Sequence, residues 1–133
     1  MVAMEDLPFT ISPSVSNLTI HAEETGESWL EFVAWHPVQG KHAYVRFNLQ
    51  RPIGIKMCGM GGEGDTGIGE VTASKWLAEI NELQREYYPN YADNFKNVRH
   101  YYVAGHDDRV EFLAEGFTWE VVEDLPNWLS RPS

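Results

Sequence analysis

The sequence predicts an α+β fold in which a twisted antiparallel sheet of five to seven strands packs against one main helix, at about residues 71–88. Several segments before residue 58 and after residue 97 repeat their apolar residues with a period of two, whereas one segment between them has the period of a helix. Strands and helices therefore do not alternate as they do in a parallel sheet. A length of 133 residues with 43% hydrophobic residues suits a single domain, which we expect to span residues 1–133.

The segments before the helix have the pattern of strands. Residues 29–36 are apolar on both faces, as in a strand that is covered on both sides, so we place this strand centrally in the sheet. Residues 43–49 alternate most regularly, and residues 53–57 repeat the same period. The turn that joins residues 29–36 to residues 43–49 contains Gly40, which can take a positive φ. Residues 18–22 alternate over a shorter stretch and predict an edge strand.

An apolar stripe at helical spacing predicts the helix. The stripe consists of Trp76, Leu77, Ile80, Leu83 and Tyr87, and the residues expected to face water are Lys75, Glu79, Glu82 and Glu86. Thr72 or Ser74 can cap the start of the helix, and Pro89 ends it. We expect Trp76 and Leu77 to seal the core against the sheet.

Strand patterns return after the helix. They occupy residues 98–104, 110–114 and 117–121, and a tight connection at 106–109 joins the first two. Residues 123–133 form a tail in which Leu125, Trp128 and Leu129 are candidates for docking onto the domain.

The charge balance limits the classes of partner. Twenty acidic residues against ten basic ones give a formal net charge of −10. This charge argues against a nucleic-acid partner, because affinity for the phosphate backbone depends on Lys and Arg, and it argues against anionic membrane surfaces. Two interpretations remain open. The charge attracts a basic protein partner, or it serves only to keep the protein soluble.

Cysteine content and the amino terminus indicate the compartment. Cys58 is the only cysteine, so neither an intrachain disulfide nor a thiolate metal cage is expected, and its default role is that of a small buried hydrophobe. The first six residues contain acidic side chains, whereas a secretory signal has basic ones at this place. No apolar stretch approaches the ~20 residues that span a bilayer. The sequence therefore predicts a cytoplasmic protein without a membrane segment.

A glycine-dense segment, from Gly59 to Gly69, is the feature most suggestive of a small ligand. It contains the pattern Gly-x-Gly-x-x-Gly twice, after a strand and before a helix, as in dinucleotide-binding proteins. Six glycines in eleven positions match such a pattern easily, and Glu63 and Asp65 would repel a phosphate. The alternatives are a plain connection, a loop that contacts a partner, and a site for a nucleotide or other small molecule, in a binding protein or a small enzyme.

Adjacent polar residues near residue 107 are potential metal ligands. His106, Asp107 and Asp108 follow one another, with Glu111 just beyond. Because adjacent side chains in a turn diverge, a polar turn that bonds its own backbone is the better interpretation.

Other chemistry-bearing residues form no recognisable constellation. His36 and His42 flank a turn and can face each other across a hairpin, but two histidines make a weak metal site, so we expect both at the surface. No Gly-x-Ser-x-Gly elbow and no His-Glu-x-x-His pattern is present. The sequence thus predicts no catalytic, cofactor-binding or metal-binding residue.

One segment resembles a known class of proteins. Residues 100–117 read His-Tyr-Tyr-Val-Ala-Gly-His-Asp-Asp-Arg-Val-Glu-Phe-Leu-Ala-Glu-Gly-Phe, an aromatic strand, a polar turn and an apolar strand. This segment is similar to the C-terminal hairpin of small bacterial immunity-type proteins. The resemblance implies a protein that binds and blocks a toxin, often a nuclease, and it implies no particular functional residue.

Together these observations predict a non-catalytic protein-binding module with a basic protein as its partner. The candidate contact residues are the acidic ones in the two polar loops: Glu63, Asp65, Asp107 and Asp108. Association of the chain with itself is an alternative.

Overall fold

The chain forms two antiparallel sheets and one α-helix within residues 7–12, 17–23, 27–58, 67–90, 95–105 and 108–124, the parts that the computed structural model describes. The elements are β1 (Thr10–Ile11), β2 (Thr19–Ala22), β3 (Ser28–His36), β4 (Lys41–Gln50), β5 (Gly54–Met57), β6 (Gly67–Val71), α1 (Lys75–Tyr87), β7 (Arg99–Ala104), β8 (Arg109–Ala114) and β9 (Gly116–Asp124). The antiparallel α+β class is therefore confirmed. The strands number nine in these ranges and divide between two sheets, where the sequence predicted one sheet of five to seven.

The first sheet is built around β3. Its strand order is β1-β3-β4-β9, and β2 also pairs with β3. The prediction of a central strand at residues 29–36 is confirmed, because Leu30 and Phe32 are fully buried on one face and Val33 is only 1% exposed on the other. The β3–β4 turn ends at Gly40, whose φ of 63° confirms the predicted need for glycine.

The second sheet has the order β5-β8-β7-β6 and contains a strand that the sequence did not predict. β6 covers Gly67, Gly69 and Val71, which were assigned to the glycine-dense loop and to the start of the helix. Ile68 pairs with Val103 and packs against the hydrophobic core, so pairing with β7 overrides the low strand propensity of glycine. The helix consequently begins at Lys75, four residues later than expected.

The hydrophobic core lies between the two sheets. Its fully buried aromatic side chains include Phe32 and Phe47 from the first sheet and Phe112 from the second. Phe117, at the start of β9, connects them, since its ring stacks on Phe47 at a centroid distance of 4.4 Å and meets Tyr101 edge-on at 5.3 Å. Such ring pairs stabilise the core beyond the effect of buried area.

A bent two-stranded ribbon carries the chain from one sheet to the other. β4 continues into β5 and pairs with β9, which continues from β8. At the bend Arg51 has a positive φ of 49°, and its guanidinium lies 2.8 Å from the carboxylate of Glu115, where β8 passes into β9. Strand periodicity shows that a segment has a buried face but not which sheet that face belongs to, so the division into two sheets was not predictable from the pattern alone.

Helix α1 lies on the face of the second sheet that points away from the core. Ser74 caps the helix by accepting a hydrogen bond from the backbone N–H of Leu77 at 2.9 Å. Trp76 rests on Gly54, where an added Cβ would lie 2.8 Å from the indole ring. No residue of the helix is fully buried, so the expectation that Trp76 and Leu77 seal the main core is wrong. With 13 residues and many charges α1 does not meet the requirements for spanning a membrane, nor does any other helix among the described residues.

His42 is buried, contrary to the prediction that it lies at the surface. Its side chain is on the face of β4 opposite Val45 and Phe47, and it is 5% exposed. Ser12, which follows β1, covers it and brings its Oγ to 3.2 Å from the ring Nε2. The ring of Trp35, its cross-strand neighbour, lies 4.8 Å away. This burial lowers the pKa of His42 below the ordinary value of 6.5.

We predict that His42 makes the fold sensitive to mild acid. Because its folded-state pKa lies below 6.5, the unfolded chain binds a proton more readily, so this contribution to stability is present above 6.5 and is lost as the pH falls through the lowered pKa. Urea denaturation at several pH values between about 7.5 and 5 should show a steeper loss of unfolding free energy in the wild type than in His42→Gln. Parallel pH dependence in the two proteins would contradict this assignment.

Candidate functional site

A line of three hydrogen-bonded side chains connects the helix to the second sheet. The Ser74 Oγ lies 2.6 Å from Nδ1 of His100, and Nε2 of His100 lies 2.6 Å from Oε1 of Glu111. His100 and Glu111 are 0% exposed. Since a carboxylate can only accept, the ring donates from Nε2, and in its neutral form it accepts at Nδ1 from the Ser74 hydroxyl.

The carboxylate of Glu111 has donors around both of its oxygens. Arg109 reaches Oε2 at 3.5 Å with a side chain that is 13% exposed. Burial and then the nearby Glu111 carboxylate raise the pKa of Cys58. Cys58 follows β5 and is half-buried, and its thiol donates to the backbone carbonyl of Lys56 at an S–O distance of 3.9 Å.

Aromatic and aliphatic groups enclose this polar line. The indole of Trp76 meets the ring of His100 edge-on, with centroids 5.3 Å apart. The ammonium of Lys56 lies 4.2 Å from the centre of the Trp76 ring, in a cation–π contact. The side chain of Leu113, on the same sheet face as Glu111, is also fully buried. The low local dielectric strengthens each hydrogen bond and makes each of them costly to lose.

The same residue types form the relay of serine hydrolases, but two features of the geometry favour a structural role here. The Ser74 hydroxyl is engaged on both sides, since it caps the Leu77 N–H and bonds His100. The imidazole has no exposed surface through which a leaving group would approach. We therefore interpret the line as the anchor of α1. The anchor fixes the N-terminal end of α1, a helix in which no residue is fully buried.

The helix presents an apolar and acidic surface near its C-terminal end, which we call the helix surface and define as Glu79, Glu82, Leu83, Glu86 and Tyr87. Leu83 and Tyr87 continue the apolar stripe that begins at the anchor, yet they are 50% and 66% exposed. The three glutamates are exposed beside them, at i, i+3 and i+7. Tyr88, at the C-cap, is 61% exposed and extends the aromatic part.

The acidic residues singled out by the sequence are mostly beyond the described ranges. Glu63, Asp65 and Asp107 lie outside them, as does most of the glycine-dense segment. Asp108 is described and half-buried, and its backbone carbonyl accepts from the Gly105 N–H at 2.7 Å, which closes the β7–β8 turn. The predicted polar turn falls on residues 106 and 107, which lie outside the described ranges. The described part of the chain contains no group of three or more His, Cys, Asp or Glu residues that would hold a metal ion.

Sequence reasoning missed the anchor because each of its members has an ordinary explanation in the linear pattern. Glu111 alternates with Val110 and Phe112, which is typical of a charged residue on the solvent side of a strand. The one available signal was Leu113, an apolar residue on that same polar face, because it indicates that something covers the face.

Comparison of the chain with protein-family models, with curated proteins and with solved structures finds no match. The functional conclusions therefore depend on the residues and their geometry.

We predict that the His100–Glu111 pair is strongly coupled. Removal of either partner alone takes a short hydrogen bond away from a buried polar group, so Glu111→Leu and His100→Leu should each reduce the unfolding free energy by about 3–5 kcal/mol. The double variant should lose much less than the sum of the two. A double-mutant cycle by urea denaturation measures this coupling.

The matched control is the Glu31–Arg46 pair on the first sheet, whose ions lie 2.8 Å apart with side chains 25% and 28% exposed. Its coupling should be only about 0.2–1 kcal/mol, because water screens the pair. Additive losses at His100 and Glu111, or coupling no larger than in the control, would show that the buried line does not act as one unit.

Proposed function

We propose that this protein is a non-catalytic binding module of the cytoplasm that engages a basic protein partner through the helix surface. The observation that carries the proposal is the apolar stripe of α1, which stays half or more exposed at Leu83 and Tyr87 although the same stripe is covered at Trp76.

The spacing of the apolar residues in the second half of α1 suits a helix that docks into a groove. Ile80, Leu83 and Tyr87 lie at i, i+3 and i+7, the positions that anchor an amphipathic helix to an apolar groove on a partner. Tyrosine is enriched at protein interfaces, because a rigid ring buries much area at a low cost in conformational entropy. An exposed patch of this kind, rimmed by charge, is typical of an interaction site.

The charges around the stripe indicate the sign of the partner's charge. Glu79, Glu82 and Glu86 are all exposed, in a chain whose formal net charge is −10. The local row of carboxylates would favour a groove rimmed by Lys or Arg, and the overall field would increase the association rate with a basic protein. The resemblance of residues 100–117 to immunity-type proteins makes a basic toxin, such as a nuclease, the expected class of partner.

We predict that truncation of the stripe abolishes most of the affinity. Leu83→Ser and Tyr87→Ala should each weaken binding by about tenfold or more, as for residues near the centre of an interface. Because both side chains are at least half exposed, the unfolding free energy should change little. The immobilised chain would capture the partner from a lysate of its own source, and calorimetry with the purified pair would give the affinities.

Two single charge reversals separate a specific contact from general attraction. Glu82→Lys lies on the helix surface, whereas Glu27→Lys, also exposed, lies beside the first sheet, and both change the net charge equally. We expect a large loss of affinity for the first and a small one for the second. Equal losses, or full affinity in Leu83→Ser, would refute binding through α1.

A further inference from the structure

Besides the helix surface, the protein has a concave surface at the end of the first sheet, at the β3–β4 hairpin. Its cavity, which we call the hairpin cup, has a volume of about 280 Å³. The inner wall is formed by side chains that belong to or pack against the hydrophobic core, namely Phe9, Ala34, Val45 and Trp119. The cup is thus an open end of the core, on a different sheet from the one that carries α1.

The depth of the cup comes from two small residues side by side. Ala34 on β3 and Ala43 on β4 are direct cross-strand partners, and both line the cavity. A large side chain at either position would project into the cavity beside Phe9 and Trp119, whose rings meet edge-on with centroids 5.0 Å apart. Val121, which is 51% exposed, forms part of the open lip. The wall therefore offers apolar contact on several sides to a ligand with a narrow apolar part.

The rim of the cup carries two hydrogen-bond donors. The backbone N–H of Gln39 donates to Nδ1 of His36 at 3.1 Å, so the neutral ring carries its proton on Nε2 and donates from there. Lys41 is exposed and forms no ion pair with any side chain that the structure describes. Both residues line the cavity. An ammonium and an imidazole N–H are suited to an anionic acceptor.

We propose that the hairpin cup binds a small amphiphilic carboxylate, with its apolar tail against Phe9 and Trp119 and its carboxylate at Lys41 and His36. A mostly apolar wall with a few polar groups at one end is the usual composition of a ligand site. The volume is just below the usual range for such sites, which favours a medium-chain fatty acid over a large cofactor. This activity goes beyond binding through α1 and does not require it.

The rim of the cup is expected to select an anionic head group over a cationic one. In a chain with a formal net charge of −10, long-range electrostatics would attract a cationic amphiphile and repel an anionic one. A preference for the anion can therefore arise only from the rim. Octanoate, octanol and octylammonium share one tail and differ in the head group, so they separate the contribution of the wall from that of the rim.

Titration calorimetry of the wild-type chain with these three compounds tests the proposal. We expect octanoate to bind at a single site with a dissociation constant of about 1 mM or tighter, and octanol and octylammonium to bind more weakly. Lys41→Gln should weaken octanoate by about fivefold, the effect of one partly solvated ion pair, without changing the affinity for octanol. Lys75→Gln, the same charge change on α1, should leave octanoate binding as it is.

Two further variants test the wall. Ala43→Phe fills the cup and should abolish octanoate binding. Val121→Glu, at a half-exposed position that tolerates substitution, places a repelling charge on the lip and should weaken octanoate even if Ala43→Phe does not fold. Circular dichroism checks the fold of each. No binding by the wild type, equal affinity for octylammonium, equal effects of Lys41→Gln and Lys75→Gln, or wild-type affinity in a folded Ala43→Phe or Val121→Glu would overturn the proposal.

Discussion

The buried carboxylate of Glu111 is the constraint on which the placement of the helix depends. A carboxylate with no exposed surface is stable only when donors surround it, because the loss of hydration is otherwise too costly. His100 and Arg109 supply donors to its two oxygens. The requirement extends to α1, since the second nitrogen of His100 is satisfied by Ser74, the residue that caps the helix. One buried charge thus fixes where a helix without a buried residue must begin.

The two sheets are connected by a different feature, the two-stranded ribbon that bends from one sheet to the other. Because β4 pairs with β9 and β5 pairs with β8, the bend at Arg51 and Glu115 carries the same two chain segments from one layer of the core into the other. The ion pair between these residues lies at the bend, and Phe117 is two residues after Glu115 in the chain. The aromatic cluster between the sheets is therefore a consequence of this corner, since Phe117 reaches Phe47 on one sheet and Phe112 on the other.

This architecture leaves two surfaces on which apolar side chains are not covered by the rest of the protein and are suited to binding a partner or ligand. α1 is anchored at its first turn, so the apolar stripe beyond Ile80 is displayed while the protein stays folded. The hairpin cup is open because the core-facing rows of β3 and β4 end in the small pair Ala34 and Ala43. The first surface is acidic and broad, as for a protein partner, and the second is concave with a basic rim, as for a small anion. They lie on different sheets, so occupancy of one does not exclude occupancy of the other.

The sequence by itself determined most of the strand segments, the helical segment and the central position of β3, because hydrophobic period and capping chemistry are local properties of the chain. It also determined the acidic charge, and it placed Glu79, Glu82 and Glu86 on the water-facing side of α1. Only the tertiary structure decided that Gly67 to Val71 form a strand, that His42 is buried, and that Ser74, His100 and Glu111 meet. These outcomes depend on partners distant in the sequence: Val103 for Ile68, Ser12 for His42, and three separate elements for the anchor. A contact between elements depends on how they fold together, and a local pattern carries no information about a partner that only folding brings near.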